Sequence, residues 1–225
     1  HDAGTSIGSA LYFYNHVLSE ARSEPMYNPY LGTSTSNEVI KQLLIDRDIK
    51  FEYLEDNELC KKVAQLLVDG KVVGWFQGKA EFGPRALGGR SIIVDPRRQD
   101  AKDLLNSKIK RRESFRPFAP SILKEFVNEY FEVNDSVPFM EKVFPIRPEK
   151  HSIIPAVTHI DGTGRLQTVD KNYSPKYYQL INEFYKLSGV PILLNTSLNI
   201  KGQPLLNDED DIDQWQKTYN SLVMR

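Results

Sequence analysis

The chain has 225 residues, 40% hydrophobic and 26% charged, enough apolar material for one large domain or a domain with an appendage. Twenty-nine Lys and Arg against 30 Asp and Glu leave a formal net charge of −1, which excludes a global attraction to nucleic acid or anionic membrane. The single cysteine, Cys60, excludes an internal disulfide and a cysteine-based metal site, and no run is long and apolar enough for a transmembrane helix or signal sequence, so a reducing cytoplasm is the expected compartment.

The chain starts on His1-Asp2-Ala3-Gly4-Thr5-Ser6-Ile7-Gly8, a carboxylate followed by small residues, and then turns apolar through Leu18. This pattern predicts a helix start packed closely on a ligand or another helix. With no Met in front of it, the segment reads as the tail of a preceding domain. Residues 23–36, rich in Pro, Tyr, Gly, Ser and Thr, read as a linker wrapped over a surface. Ser36 can cap a short helix running through Leu44, and residues 50–54 are expected to be extended. A stronger helix starts at Asp56 or Asn57, with Leu59, Val63, Leu66 and Leu67 on one face and Gly70 as its stop.

Two apolar runs, Val72 to Phe76 and Ile92 to Val94, predict strands. The fourteen residues from Gly78 to Ser91 carry four glycines, one carboxylate (Glu81) and three cations (Lys79, Arg85, Arg90). Glycine lets backbone approach a ligand closely, and arginine presents a planar fork matched to phosphate or carboxylate. An anion-binding loop is the reading this favours over a surface turn with solvated arginines.

A further helix over about residues 99–108, with Ala101, Leu104 and Leu105 inward, leads into the basic run Lys108 to Arg112 and then Phe115-Arg116-Pro117-Phe118-Ala119-Pro120. Arg116, set between aromatic rings and proline, is expected to have a packed stem and a fixed head. Residues 121–123 suggest a short strand, 124–131 a short helix and 134–155 an irregular lobe. Residues 157–169 read as two extended pieces around an Asp-Gly turn, placing His159, Asp161, Arg165 and Gln167 on one face. A helix opened by Ser174-Pro175 carries Tyr178, Ile181, Phe184, Tyr185 and Leu187 toward the core and ends at Gly189. The strand Val190 to Leu194 then delivers Asn195-Thr196-Ser197-Leu198-Asn199, small polar donors at the strand end where α/β folds place ligands. A last helix, residues 208–224, is expected to use Trp215 and Leu222 as its apolar contacts.

Taken in order, Glu81-Phe82-Gly83-Pro84-Arg85-Ala86-Leu87-Gly88 with Arg90-Ser91, Lys110-Arg111-Arg112-Glu113, Phe115 to Pro120, His159 to Thr163 with Arg165 and Gln167-Thr168-Val169, and Asn195 to Asn199 resemble the C-terminal domain of the NodU/TobZ-type O-carbamoyltransferases. The segment Asp2 to Leu11 resembles the end of that family's actin-like domain. The resemblance implies an α/β fold of the YrdC-like kind, a twisted mixed sheet flanked by helices. It implies residues 1–22 as a remnant of the preceding domain, 23–55 as a wrapping linker and 56–225 as a domain that joins carbamoyl phosphate to ATP as carbamoyl-adenylate and pyrophosphate. Transfer to a hydroxyl of a small-molecule acceptor belongs to the actin-like domain, with a bound transition metal, iron, to which Asp2 would be one ligand.

Lys110-Arg111-Arg112 and Ser197-Leu198-Asn199 have the spacing of the Lys-x-Arg and Ser-x-Asn pairs of YrdC-like nucleotide sites. The implied assignment gives the triphosphate, with its Mg2+, to Lys110, Arg112, Arg116, Ser197 and Asn199. Carbamoyl phosphate goes to Arg85, Arg90 and His159, with Glu81 orienting those arginines or the carbamoyl NH2, and Asp161 and Arg165 either completing the pocket or serving structure. Arg85, Lys110, Arg112 and His159 are the expected catalytic set. Expected partners are the two substrates, the acceptor and the chain's own actin-like domain, with neither DNA nor membrane and with a homodimer open. Two alternatives are threonylcarbamoyl-adenylate synthesis for tRNA modification, and a nucleotide-binding module without catalysis.

Overall fold

The computed structural model describes residues 3–219 and 223–224. Helix α1 (Gly4–Tyr12) continues as a wider turn over Phe13–Val17. It buries no residue, and Gly4 and Gly8 have open space around them, so the close packing expected of this segment is not formed within the described residues. Helix α2 (Asn37–Asp46) begins as expected, with Ser36 Oγ accepting from the Val39 N–H at 3.3 Å. Helix α3 (Asp56–Val68) buries Leu59, Cys60, Val63, Ala64 and Leu67, and Gly70 at φ +78° ends it. Burial pushes the Cys60 thiol up to about 12, which leaves it inert.

Behind α3 lies a mixed sheet of seven described strands: β1 (Val73–Phe76), β2 (Arg90–Val94), β3 (Ala119–Leu123), β4 (Lys142–Pro145), β5 (Thr163–Val169), β6 (Ile192–Ser197) and β7 (Val223–Met224). Their spatial order is β4-β5-β3-β6-β2-β1-β7. β6 is central, antiparallel to both β2 and β3, and its apolar run Ile192-Leu193-Leu194 is fully buried. A strand buried on both faces reads as a continuous hydrophobic run, which is why this one is plain in the sequence. The β1/β2 pair is antiparallel, with Phe76 opposite Arg90, so the glycine loop bridges two adjacent strand ends.

The remaining helices are α4 (Ala101–Leu104), continued by a wide turn over Leu105–Lys110, then α5 (Val127–Tyr130), α6 (Pro175–Ser188) and α7 (Glu209–Tyr219). α6 packs along α3. Its buried face is Tyr177, Leu180, Ile181 and Phe184; Tyr178 and Tyr185 are half-buried and Leu187 is exposed, so the face is rotated from the one expected. Trp215 of α7 is buried as expected, whereas Leu222 lies outside the described residues. No helix among the described residues is long and apolar enough to cross a membrane.

The segment 157–169 differs from expectation. Only its second half is a strand, β5, while residues 157–162 form turns closed by the His159 N–H to Thr163 carbonyl bond at 2.8 Å and the Gly162 N–H to His159 carbonyl bond at 3.0 Å. β5 finds its neighbours in β4 and β3 instead, and the irregular lobe supplies β4.

Candidate active site

The glycine loop is folded by its own carboxylate. Glu81 is 7% exposed, and its Oε1 accepts from the N–H groups of Leu87 at 2.7 Å, Gly89 at 2.7 Å and Arg90 at 3.1 Å. Three convergent N–H donors make a nest for one anion, and here the anion is a side chain of the loop itself. Gly88 sits at φ +110°, and a Cβ there would run into the Tyr177 ring. Gly88→Ala is therefore expected to cost about 2–4 kcal/mol, read as a lower midpoint in denaturant unfolding.

The strands below hold the loop through buried polar side chains. Asn195 Nδ2 of β6 donates to the Ala86 carbonyl at 3.0 Å, and Gln167 Nε2 of β5 donates to the Leu87 carbonyl at 2.8 Å. Ser121 Oγ of β3 donates to Gln167 Oε1 at 2.5 Å. Tyr30 Oη, from the wrapping segment, also reaches the Leu87 carbonyl at 2.8 Å. Each of these buried donors finds an acceptor within the group or on the loop backbone.

Two expected ligand residues thus turn inward. Arg90 is fully buried, with Nε donating to the Leu206 carbonyl at 3.1 Å and Nη1 to the carbonyls of Gln77 at 3.1 Å, Gly78 at 3.2 Å and Gly89 at 3.0 Å. Its Cζ lies 3.6 Å from the centroid of the Phe76 ring. Arg90 staples the neck of the loop, and Glu81 holds the loop backbone. Arg85, at the outer tip, is the half-buried loop cation that lines an open cleft of ≈ 350 Å³.

The cleft runs between that tip, the end of β6 and the basic segment. Arg112, His159, Arg165, Asn195 and Ser197 face it together with Arg85. Asn106, 1% exposed, shapes the basic segment: its Nδ2 donates to the carbonyls of Ser114 at 3.2 Å and Arg116 at 3.1 Å, and its Oδ1 accepts from Arg112 Nε at 2.8 Å. The Arg112 guanidinium lies over the Phe118 ring, 4.8 Å from its centroid. The left-handed backbone of Arg111, φ +46°, turns the chain sharply between Lys110 and Arg112.

Lys110 and the Ser-x-Asn pair meet directly. Lys110 Nζ donates to the Ser197 carbonyl, to Ser197 Oγ at 3.0 Å and to Asn199 Oδ1 at 2.8 Å. Burial, reinforced by the nearby Arg112 charge, lowers its pKa to about 7.

His159 Nδ1 lies 3.0 Å from Thr163 Oγ1, whose own hydrogen goes to Asp161 Oδ1 at 2.7 Å. A carboxylate only accepts, so the imidazole must donate from Nδ1, which leaves the Nε2 lone pair without a hydrogen-bond partner. Burial lowers the His159 pKa; Asp161 opposes this, while Lys102 and Arg165 add to it. Asp161 itself stands exposed beside the cleft, its carboxyl held below the usual range by the Thr163 hydroxyl and N–H.

Arg116 is not fixed among packed rings. It is exposed, paired with Glu113 at 2.9 Å, and Phe115 beside it is 82% exposed. Arg116→Ala is accordingly expected to change stability by less than about 1 kcal/mol in denaturant unfolding, as for a solvent-screened pair. Asp2 lies outside the described residues. Sequence reading gave no role to Asn106, Ser121 or Tyr30, and none to the Asn195 and Gln167 amides as supports for the loop. For Ser121, Asn195 and Gln167 the available signal was a polar side chain within an otherwise apolar buried strand.

The family model described as the carbamoyltransferase C-terminus matches residues 64–224. The nodulation protein NolNO of Sinorhizobium fredii is 45% identical over 215 residues, which is 94% of this chain and 32% of that protein. Nodulation protein NolO of Bradyrhizobium diazoefficiens is 40% identical over 94% of this chain and 39% of its own length. The chain thus spans about a third of the curated relatives it matches. Among solved structures, full-length HypF in its phosphate- and nucleotide-bound form aligns with TM-score 0.55 at 21% identity over 73% of this chain and 24% of HypF. YciO of E. coli aligns with TM-score 0.52 at 14% identity over 74% and 77% of the two chains. At those identities the likeness speaks for the fold, which is YrdC-like. The expected family and fold both hold: this chain belongs to the carbamoyltransferase C-terminal family.

Proposed function

We propose that the cleft joins carbamoyl phosphate to ATP, releasing pyrophosphate and leaving carbamoyl-adenylate for transfer to a hydroxyl of a small-molecule acceptor elsewhere in the longer protein. The observation that supports this best is the meeting of three cleft arginines with the Lys110–Ser197–Asn199 cluster, since two polyanions need fixed cations more than they need covalent chemistry. Lys110 and Arg112, with Ser197 and Asn199, hold the triphosphate. Arg85 and Arg165 hold carbamoyl phosphate.

His159 Nε2 takes a proton from the water that attacks the carbamoyl carbon as phosphate leaves, giving carbamate. A carbamate oxygen then bonds to the α-phosphorus of ATP while the bond to pyrophosphate breaks. Glu81, Asp161 and Arg90 act through the positions of other groups.

Labelled pyrophosphate should exchange into ATP only when carbamoyl phosphate is present. Exchange that instead requires threonine and bicarbonate would replace this reading with threonylcarbamoyl-adenylate synthesis. ATP binding without exchange by folded protein would leave a binding module.

A further inference from the structure

The floor of the cleft holds an acceptor whose orientation is settled by a chain of one-way hydrogen bonds. The Leu87 carbonyl only accepts, so the Gln167 side chain must turn its Nε2 toward it, at 2.8 Å. That turns Gln167 Oε1 toward β6, where Asn195 lies 3.0 Å away. Asn195 must therefore present Nδ2 to Gln167, and the same nitrogen meets the Ala86 carbonyl at 3.0 Å and Ser121 Oγ at 3.1 Å. Ser121 spends its hydrogen on Gln167, so toward Asn195 it can only accept, and the two Nδ2 hydrogens are shared among the three acceptors. The amide cannot flip without losing this whole set. Its Oδ1 is left buried, without a hydrogen-bond partner, on a residue that lines the cleft and is 1% exposed.

A buried acceptor without a donor is costly, and a fold tolerates it where a ligand supplies the donor. The cleft around it is cationic, through Arg85, Arg112 and Arg165. A ligand suited to both features is a small phosphorylated molecule that carries an N–H beside its phosphate. A methyl group at the same place would leave the acceptor unpaired.

We infer that Asn195 Oδ1 receives the amino group of the phosphorylated substrate and so sets the preference for a carbamoyl over an acetyl group. This rests on the carbamoyl-phosphate reading above and adds the atom that distinguishes that substrate from an acyl phosphate of the same shape. Asn195 is then a specificity residue as well as a loop support. Its Nδ2 does the second task and its Oδ1 the first.

Two stable phosphonates separate these ideas without turnover: phosphonoacetamide, which carries the amide, and acetonylphosphonate, which carries a methyl in place of the NH2. Calorimetry on the 225-residue chain should find phosphonoacetamide about 10- to 100-fold tighter, the range an unpaired buried group implies. In Asn195→Ala the ratio of the two affinities should fall to within about threefold. A ratio taken on one preparation does not depend on how much of it is folded. Should Asn195→Ala not fold, Asn195→Leu, which fills nearly the same volume and carries no acceptor, carries the same comparison. Equal affinities in the wild type, or an unchanged preference in the folded variant, would overturn the inference. A clear preference with no pyrophosphate exchange would sink the proposed reaction and leave this recognition standing. Exchange without a preference would do the reverse.

Discussion

Lys110→Met is expected to reduce carbamoyl-phosphate-dependent pyrophosphate exchange by about a thousandfold or more, the scale on which a fixed cation at a developing phosphoryl charge acts. The same substitution should remove a proton from the binding equation. In the free protein Lys110 titrates near 7, so at pH 8 it is mostly neutral. A triphosphate beside Nζ favours the ammonium form and raises that pKa. ATP binding at pH 8 should therefore take up a substantial fraction of one proton, visible as a dependence of the calorimetric enthalpy on buffer ionisation heat. Lys110→Met should show none of it.

The stability linkage of Lys110 runs in a definite direction. Its folded pKa lies below the ordinary lysine value, so between about pH 7 and about pH 10.5 the unfolded chain binds more protons and stability rises with pH. Below about pH 7 both states are protonated and the cost of burying the charge is fully present. The Met variant should lose this rise, which a pH series of chemical unfolding would register.

Glu81→Ala is expected to be the most destabilising single change in the loop, at about 3–5 kcal/mol, because it leaves the N–H groups of Leu87, Gly89 and Arg90 without their shared acceptor. For a chain of this size that corresponds to a fall in Tm of roughly 10 °C. Glu81→Gln, which keeps an acceptor of the same shape, should recover most of the loss. If Glu81 served the ligand instead, both variants would retain wild-type Tm and lose substrate affinity.

Local chemistry made much of the fold legible. Ser36 announces a helix that it does cap, Gly70 and Gly189 stop helices at φ +78° and +73°, and the apolar run at Ile192 marks the centre of the sheet. The glycine loop and the basic segment were visible as clusters, and the structure brings Arg85 of the one and Arg112 of the other to one cleft. The direction in which each charged head points was not legible. Arg85 and Arg90 are alike in composition and five residues apart, yet one lines the cleft and the other is consumed by the carbonyls of Gln77, Gly78 and Leu206. That difference depends on Leu206, 116 residues away in sequence. The Phe-Arg-Pro-Phe stretch misled for a related reason. Ring-flanked Arg116 looks packed only if both rings are buried, and only Phe118 is. The strand pairing expected within residues 157–169 likewise rested on an Asp-Gly turn, whereas β5 pairs with β3 and β4.

A structure of the chain with a non-hydrolysable ATP analogue and phosphonoacetamide tests the central claim most directly. The account predicts triphosphate oxygens within hydrogen-bond distance of Lys110 Nζ and Arg112, and the phosphonate against Arg85 with its amide turned toward the floor of the cleft. A nucleotide bound elsewhere, with Lys110 still closed on Ser197 and Asn199, would contradict it.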